Sequence, residues 1–254
     1  MAYLVARGIE KSFGTNSVLR GVDLTIEKGT FTTVIGRSGC GKSVLMKCIV
    51  GLQEADAGIV EFDGTNVSAS GEAGFRDLRR RVGMLFQNSA LFDSMTVQDN
   101  VAYGLREQGL LDAAAIKQRV SESLSLVQLP GTQTMMPSEL SGGMRKRVSL
   151  ARAIAMRPEV VIYDEPTEGL DPVNVTRVYR VLQALRTELG VTTLVVTHNM
   201  EAAFHHSERI VAIHGGRIVH DDTPASLRKL AKDEVIGPFV RASYSAVERA
   251  QGAG

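Results

Sequence analysis

Gly36-Arg37-Ser38-Gly39-Cys40-Gly41-Lys42-Ser43 is the stretch on which the reading of this chain turns. An apolar, β-branched run, Phe31 to Ile35, leads into it, and a helical-looking run, Val44 to Gly51, leads out. Strand, glycine loop and helix in that order are the setting of a phosphate-binding loop. The glycines let backbone N–H groups converge on phosphate oxygens. The start of the following helix adds partial positive charge. In that reading Lys42 reaches the β- and γ-phosphates and Ser43 offers its hydroxyl to Mg²⁺.

Ahead of this loop, Tyr3, Val5, Val22, Leu24 and Ile26 alternate with polar residues and predict half-buried strands. Phe13 falls between them, in a segment that reads as a loop. After the loop, Ile59 to Phe62 reads as a strand closed by an Asp63-Gly64 turn. From Ser68 to Arg81 the chain becomes rich in glycine, serine and charge, with Phe75, Leu78 and Val82 at helical spacing. Val82 to Phe86 then predicts a short strand ending at Gln87. Residues from about 88 to 136 lack strand signatures, and Ile116, Val120, Leu124 and Val127 line one face of an amphipathic helix.

Further on, Leu140-Ser141-Gly142-Gly143-Met144 precedes a helix that stops before Pro158. Ser141 suits an N-cap, and the paired glycines leave room for a ligand at the helix start. Val160 to Tyr163 is a buried-type strand ending in Asp164 and Glu165. An aspartate at such an edge, downstream of a phosphate loop, organises Mg²⁺; the glutamate beside it can polarise an attacking water. Gly169-Leu170-Asp171-Pro172 opens a helix whose stripe is Val175, Val178, Leu182, Leu185 and Leu189. Thr192 to Thr197 predicts another strand. His198 stands at its end, where strand C-termini open onto the ligand crevice of an α/β sheet. His205, His206, His214 and His220 have no such placement. Two strands joined through Gly215-Gly216 follow, then a helix from Thr223-Pro224 to about Lys232. The tail carries Val235, Ile236, Phe239, Val240, Tyr244 and Val247, and this apolar content fits packing on its own domain or on a second subunit equally.

The 254 residues carry a net charge of +1, so the chain lacks the electrostatic footprint of a nucleic-acid binder. Its two cysteines, Cys40 and Cys48, suggest neither a disulfide framework nor a zinc site, which fits a reducing compartment. The first seven residues show no basic region followed by a long apolar one, so no signal peptide is expected. No apolar run approaches the ~20 residues that cross a bilayer.

Taken in this order, the motifs resemble the ATP-binding subunits of ABC transporters across roughly residues 3 to 230. Gly36 to Ser43 matches the Walker A segment, and Val44 stands where that family often has threonine. Gln87 matches the Q-loop, which in that family contacts Mg²⁺ and the transmembrane partner. Leu140 to Met144 looks like the signature motif, with Met144 where glutamine is usual and Ser141, Gly142 and Gly143 kept. Asp164 and Glu165 match Walker B and the catalytic glutamate, Asp171 the D-loop and His198 the switch histidine. Phe13 lies where the family puts an aromatic that stacks on adenine.

The resemblance implies an α/β fold: a P-loop NTPase core with flanking helices, an N-terminal antiparallel β subdomain and an inserted α-helical subdomain. The ATPase domain would span residues 1–232, with the helical part at about 88–157, and residues 233–254 would form a tail. It implies ATP and Mg²⁺ as ligands, with Ser43, Gln87 and Asp164 around the metal and Gln87, Glu165 and His198 in catalysis. It implies a homodimer in which each ATP lies between one copy's Walker A and the other's signature, membrane-spanning permease partners, and a peripheral place on the cytoplasmic face of the inner membrane. The signature followed by Arg145-Lys146-Arg147, together with Met84 to Val97, is similar to ATPases of Mce-associated phospholipid transporters, whose system includes a lipid-shuttling binding protein. An amino-acid or other small-solute importer is the alternative, and a soluble ABC ATPase of DNA repair or translation is the reading from another class.

Overall fold

The computed structural model describes residues 2–86, 89–109 and 111–243. In chain order its first half contains β1 (Ala2–Phe13), β2 (Asn16–Glu27), β3 (Phe31–Gly36), α1 (Lys42–Ile49), β4 (Ala57–Phe62), β5 (Thr65–Asn66), α2 (Gly71–Arg81), β6 (Val82–Leu85), α3 (Val97–Gln108) and α4 (Ala113–Leu126). Its second half contains α5 (Gly142–Ala155), β7 (Val160–Asp164), α6 (Pro172–Leu189), β8 (Thr192–Thr197), α7 (Met200–His206), β9 (Arg209–His214), β10 (Arg217–Asp222), α8 (Pro224–Arg228) and α9 (Gly237–Ala242). The chain divides into two units, one holding residues up to Leu78 and from Leu194 onward, the other running from Arg79 to Thr193. One boundary falls inside α2 and the other inside β8. No helix among the described residues is long and apolar enough to cross a membrane.

The first unit has an antiparallel sheet in the order β2-β1-β4-β5. Alternating burial along β2 produces its one wet face and one dry face. The β4–β5 turn places both Asp63 and Gly64 at positive φ, the conformation that a two-residue hairpin turn requires. Phe13 is the last residue of β1, paired with Asn16 across the turn, rather than part of a loop between separate strands. The alternation that marked Tyr3 and Val5 continues through a β-bulge between Ala6 and Ile9, and that irregularity hid the strand's full length.

A second, mixed sheet in this unit runs in the order β10-β9-β3-β8, with β3 parallel to β9 and β9 antiparallel to β10. β3 is buried at every position, as a strand covered on both faces must be. Its Ile35 joins Ala203, Phe204, Ile210, Ala212, Leu227, Ile236 and Val240 in one apolar cluster. Two tail residues, Ile236 and Val240, are therefore fully buried in their own unit. Asp233 fixes their entry by accepting bonds from the N–H groups of Val235 and Ile236, both at 2.8 Å. α8 stops at Arg228, short of the expected Lys232. Tyr244 and Val247 lie outside the described residues.

In the second unit β6 and β7 pair in parallel, Val82 opposite Val160. Among the described residues between Ser89 and Met136 there is no strand. Thr96 and Asp112 cap α3 and α4 through their side chains, and both helices pack against α5. Val101, Val120, Leu124, Val148 and Ile154 are buried in this unit. Arg147, also buried, donates to the carbonyls of Val127 and Gln128 at the end of α4. Along α6 the residues Val178, Leu182 and Leu185 are buried, but Val175 is only half-buried and Leu189 is exposed. The core stripe is thus shorter than the sequence periodicity predicts, because Leu189 is the helix's final residue, with Gly190 closing it in the left-handed conformation.

Candidate functional site

In the first unit the glycine loop links the buried strand β3 to α1. Arg37, Ser38 and Gly39 are exposed, and Gly39 takes φ +78° with open space where a side chain would stand. Gly41, at φ +101°, caps α1 and offers no side-chain acceptor. The first turn of α1 also lacks an acidic residue. A helix start without a capping side chain or a first-turn acid is a favourable setting for an anion. Lys42 is buried, with Nζ donating to the carbonyls of Gly36 at 2.8 Å and Arg37 at 3.2 Å. The amine is thus folded onto the loop it would share with phosphate oxygens. Ser43 and Val44 are half-buried on the first turn, and so is Cys40.

The loop is fixed from both sides within this unit. A side chain at Gly36 would strike Cys40 Sγ and the Ile213 carbonyl, at 2.6 and 2.7 Å. A side chain at Gly41 would lie 2.9 Å from Leu19 and 3.1 Å from Val18, both on β2. The hairpin that carries Phe13 therefore rests on the cap of α1. Phe13 itself is 48% exposed. His198 is exposed beyond the end of β8, next to Asn199, whose side chain caps α7 by accepting from Ala202 N–H.

The second unit contributes the other candidates. Asp164 ends β7 and is buried. Glu165, also buried, takes φ +50°, a left-handed conformation that is strained for a residue with a side chain. The chain turns there, and Asp171 then caps α6, accepting from Asn174 N–H at 3.0 Å and from its side-chain amide at 2.6 Å. These two bonds hold the Asp171 carboxyl below its ordinary range, the backbone bond having the larger effect. Ser141 caps α5 by accepting from Met144 N–H at 3.2 Å. A hydroxyl that accepts in this way keeps its own hydrogen to donate. Ser141 and Gly142 are exposed, while Gly143 is buried so closely that an added side chain would meet Asn174 Oδ1 at 3.0 Å. The starts of α5 and α6 therefore abut, joining Ser141, Gly142 and Gly143 to Asp171. Gln87 lies outside the described residues.

Sequence reasoning missed two neighbours of these residues. Lys146, on α5, is only 8% exposed, and burial pulls its amine below the ordinary lysine range. The carboxylates of Glu168, Glu165 and Asp164 act in the opposite direction, which puts this cation beside the acids that follow β7. A lysine in an Arg-Lys-Arg run reads as solvated, so nothing local announced it. Asn174 was discoverable, since it stands three residues after the helix-capping Asp171.

A glycine loop from a buried parallel strand into a helix without a side-chain cap, with a lysine at its first turn, defines the P-loop class of nucleotide-binding folds. The ABC transporter family model matches residues 19–168, and the chain belongs to that family. It is 38% identical over 232 residues to a methionine import ATP-binding protein, MetN, of Rhizobium johnstonii, covering 91% of this chain and 64% of that one. It is 38% identical over 238 residues to a sulfate/thiosulfate import ATP-binding protein, CysA 2, of Chromobacterium violaceum, covering 94% of this chain and 63% of that one. The chain thus spans under two thirds of the length of these curated relatives. Among solved structures it matches the dimeric bacterial ABC transporter cassette MJ0796 with a TM-score of 0.80 and 28% identity, over 87% of this chain and 98% of that one. A second structure of MJ0796, also dimeric, is of a post-hydrolysis state bound to ADP and Pi.

Proposed function

We propose that this chain is the ATP-hydrolysing subunit of a small-solute ABC importer, working as two copies on a separate membrane-spanning permease at the cytoplasmic face of the inner membrane. The observation that carries the nucleotide reading is the start of α1: a glycine-capped helix without a side-chain acceptor, with Lys42 at the loop. Phosphate oxygens would take the place of the Gly36 and Arg37 carbonyls on Nζ and satisfy the leading N–H groups of α1. Phe13 would stack on the base. The other copy would supply Ser141, with its spare hydroxyl hydrogen, and Gly142 and Gly143, steadied by the adjoining Asp171–Asn174 cap. The dimeric cassette MJ0796 supports this arrangement.

Glu165 is the group to accept a proton from the attacking water, with Gln87 and His198 orienting the reacting groups. Mg²⁺ takes oxygen ligands, commonly one or two carboxylates together with substrate phosphates. The hydroxyl of Ser43 and the buried carboxylate of Asp164 are hard donors of that kind, and Gln87 would add a third. When bound, the metal would neutralise charge developing on the phosphates.

The permease reading draws on the second unit. Asn100 is fully buried and holds the segment before α3 through Phe92 N–H, at 2.8 Å, and the carbonyls of Phe92, Met95 and Thr96, each at 3.1 Å. Phe92 on that braced segment and Tyr103 on α3 are 40% and 39% exposed, with ring centroids 4.8 Å apart. A rigid, exposed aromatic pair suits a partner helix. The import names of the two relatives favour a small solute, with a solute-binding protein upstream, over the lipid cargo expected from Met84 to Val97 and from the signature followed by Arg145-Lys146-Arg147. Lipid transport, with its lipid-shuttling protein, is the second reading, resting on those sequence segments and on none of the relatives. Purification with a permease from solubilised membranes, and analysis of what that complex binds, separates these two from each other and from a soluble ABC ATPase.

The enzymatic core of the proposal is tested by Glu165→Gln. The variant is expected to bind ATP, to lose on the order of 100-fold or more in turnover and to accumulate as a closed dimer. Hydrolysis at the wild-type rate would remove Glu165 from the base role.

A further inference from the structure

Asp56 grips the end of β1 at three consecutive residues. Its N–H donates to the Glu10 carbonyl at 2.8 Å, its Oδ1 accepts from Lys11 Nζ at 2.5 Å, and its Oδ2 accepts from Ser12 N–H at 2.6 Å. The next residue is Phe13. Lys11 Nζ, held by this carboxylate, stands 5.6 Å from the centroid of the Phe13 ring. That distance is within the range in which a cation is drawn to an aromatic face. The β1–β4 ladder is irregular between Arg7 and Glu10, so here the Asp56 side chain supplies a tether that regular pairing does not.

Two further contacts connect this clamp to the phosphate loop. Lys11 lies directly opposite Leu19 in the β1–β2 register, and Leu19 is the residue nearest the missing side chain of Gly41. Lys11 and Asp56 also act electrostatically on Cys48, which is buried in the last turn of α1. The clamp therefore sits alongside α1, at the base of the hairpin that carries the exposed ring.

With its carboxylate 44% exposed to screening water, the Lys11–Asp56 ion pair contributes little to folding. A large aromatic left about half in solvent at a hairpin tip contributes little to the core. Together they make a different object: a ring whose orientation is set by a cation near it and a carboxylate fastening its strand. We infer that Asp56 and Lys11 are positioning residues that pre-orient Phe13 as a stacking platform for the nucleotide base, and so set the part of the affinity that comes from the base. This inference rests on the proposed nucleotide-binding function. Stacking on a free side chain must first restrict it, and a pre-set ring avoids that entropic cost. Lys11 and Asp56 touch neither phosphate nor base in this account; they act through Phe13.

The test compares two probes, Mg-ATP and inorganic tripolyphosphate with Mg²⁺, by calorimetry on the full chain and on Asp56→Ala, Lys11→Met and Phe13→Ala. Asp56→Ala and Lys11→Met should each weaken ATP binding about three- to ten-fold, part of the stacking contribution, and leave tripolyphosphate within about two-fold. Adding Asp56→Ala to Phe13→Ala should cause no further loss, because the clamp then has nothing to orient. Equal losses for both probes, unchanged ATP binding in both clamp variants, or full additivity with Phe13→Ala would each overturn the clamp. Wild-type protein that binds neither probe would instead overturn the nucleotide reading beneath it.

Discussion

The helix that starts at Lys42 and the helix that starts at Gly142 both begin at glycine, buried Gly41 before the first and exposed Gly142 within the second, but only the second is closed by a capping side chain. At α1 the capping residue is Gly41, which has no side chain to accept from the first turn. At α5 the Ser141 hydroxyl accepts from Met144 N–H and retains one hydrogen to give away. The first start also has a buried lysine folded over it. An N-terminus left open is stabilised by the anion it binds, whereas one already capped needs no ligand to be stable. In the proposed two-copy arrangement, this difference suits α1 to the grip on the triphosphate within one copy and α5 to a lighter, completing contact supplied to the other.

Three substitutions test that division, beginning with the largest effect. Ser141→Arg puts a bulky cation at the start of α5; steady-state hydrolysis should fall on the order of 100-fold, while ATP affinity of the isolated subunit stays within about two-fold. Full activity would mean that α5 takes no part in the composite site. Lys42→Ala should weaken ATP binding roughly 10- to 100-fold in a titration of the isolated subunit, the usual range for losing a charged phosphate contact. If its affinity matched wild type, α1 would lose its assigned role. Ser141→Ala should lower unfolding stability by about 1 kcal/mol, the ordinary cost of a lost cap, and melting by ~2–4 °C. An unchanged melting temperature would show that α5 is no more self-sufficient than α1.

The sequence disclosed most where one short segment carried its own physics. A β-branched run, a glycine loop and a helix were legible together, and the structure shows β3 ending at Gly36 and α1 beginning at Lys42, two residues earlier than the apolar pattern alone suggested. Asp164 at a strand end and Ser141 and Asp171 at helix starts were likewise readable, because caps and strand edges are local. What stayed hidden was non-local. Lys11 and Asp56 are 45 residues apart and meet only through the β1–β4 pairing. Lys146 is buried beside acids 18 or more positions away. The left-handed turn at Glu165 has no sequence signal, since glutamate is not a residue that favours it.

The apolar tail was an open question between two hosts, and α9 now has one: Ile236 and Val240 fill the cluster under α7. A polypeptide cut after Lys232 would leave that cluster unroofed and its greasy lining wet. Anyone shortening this protein for expression has to keep Ile236 and Val240 in the chain.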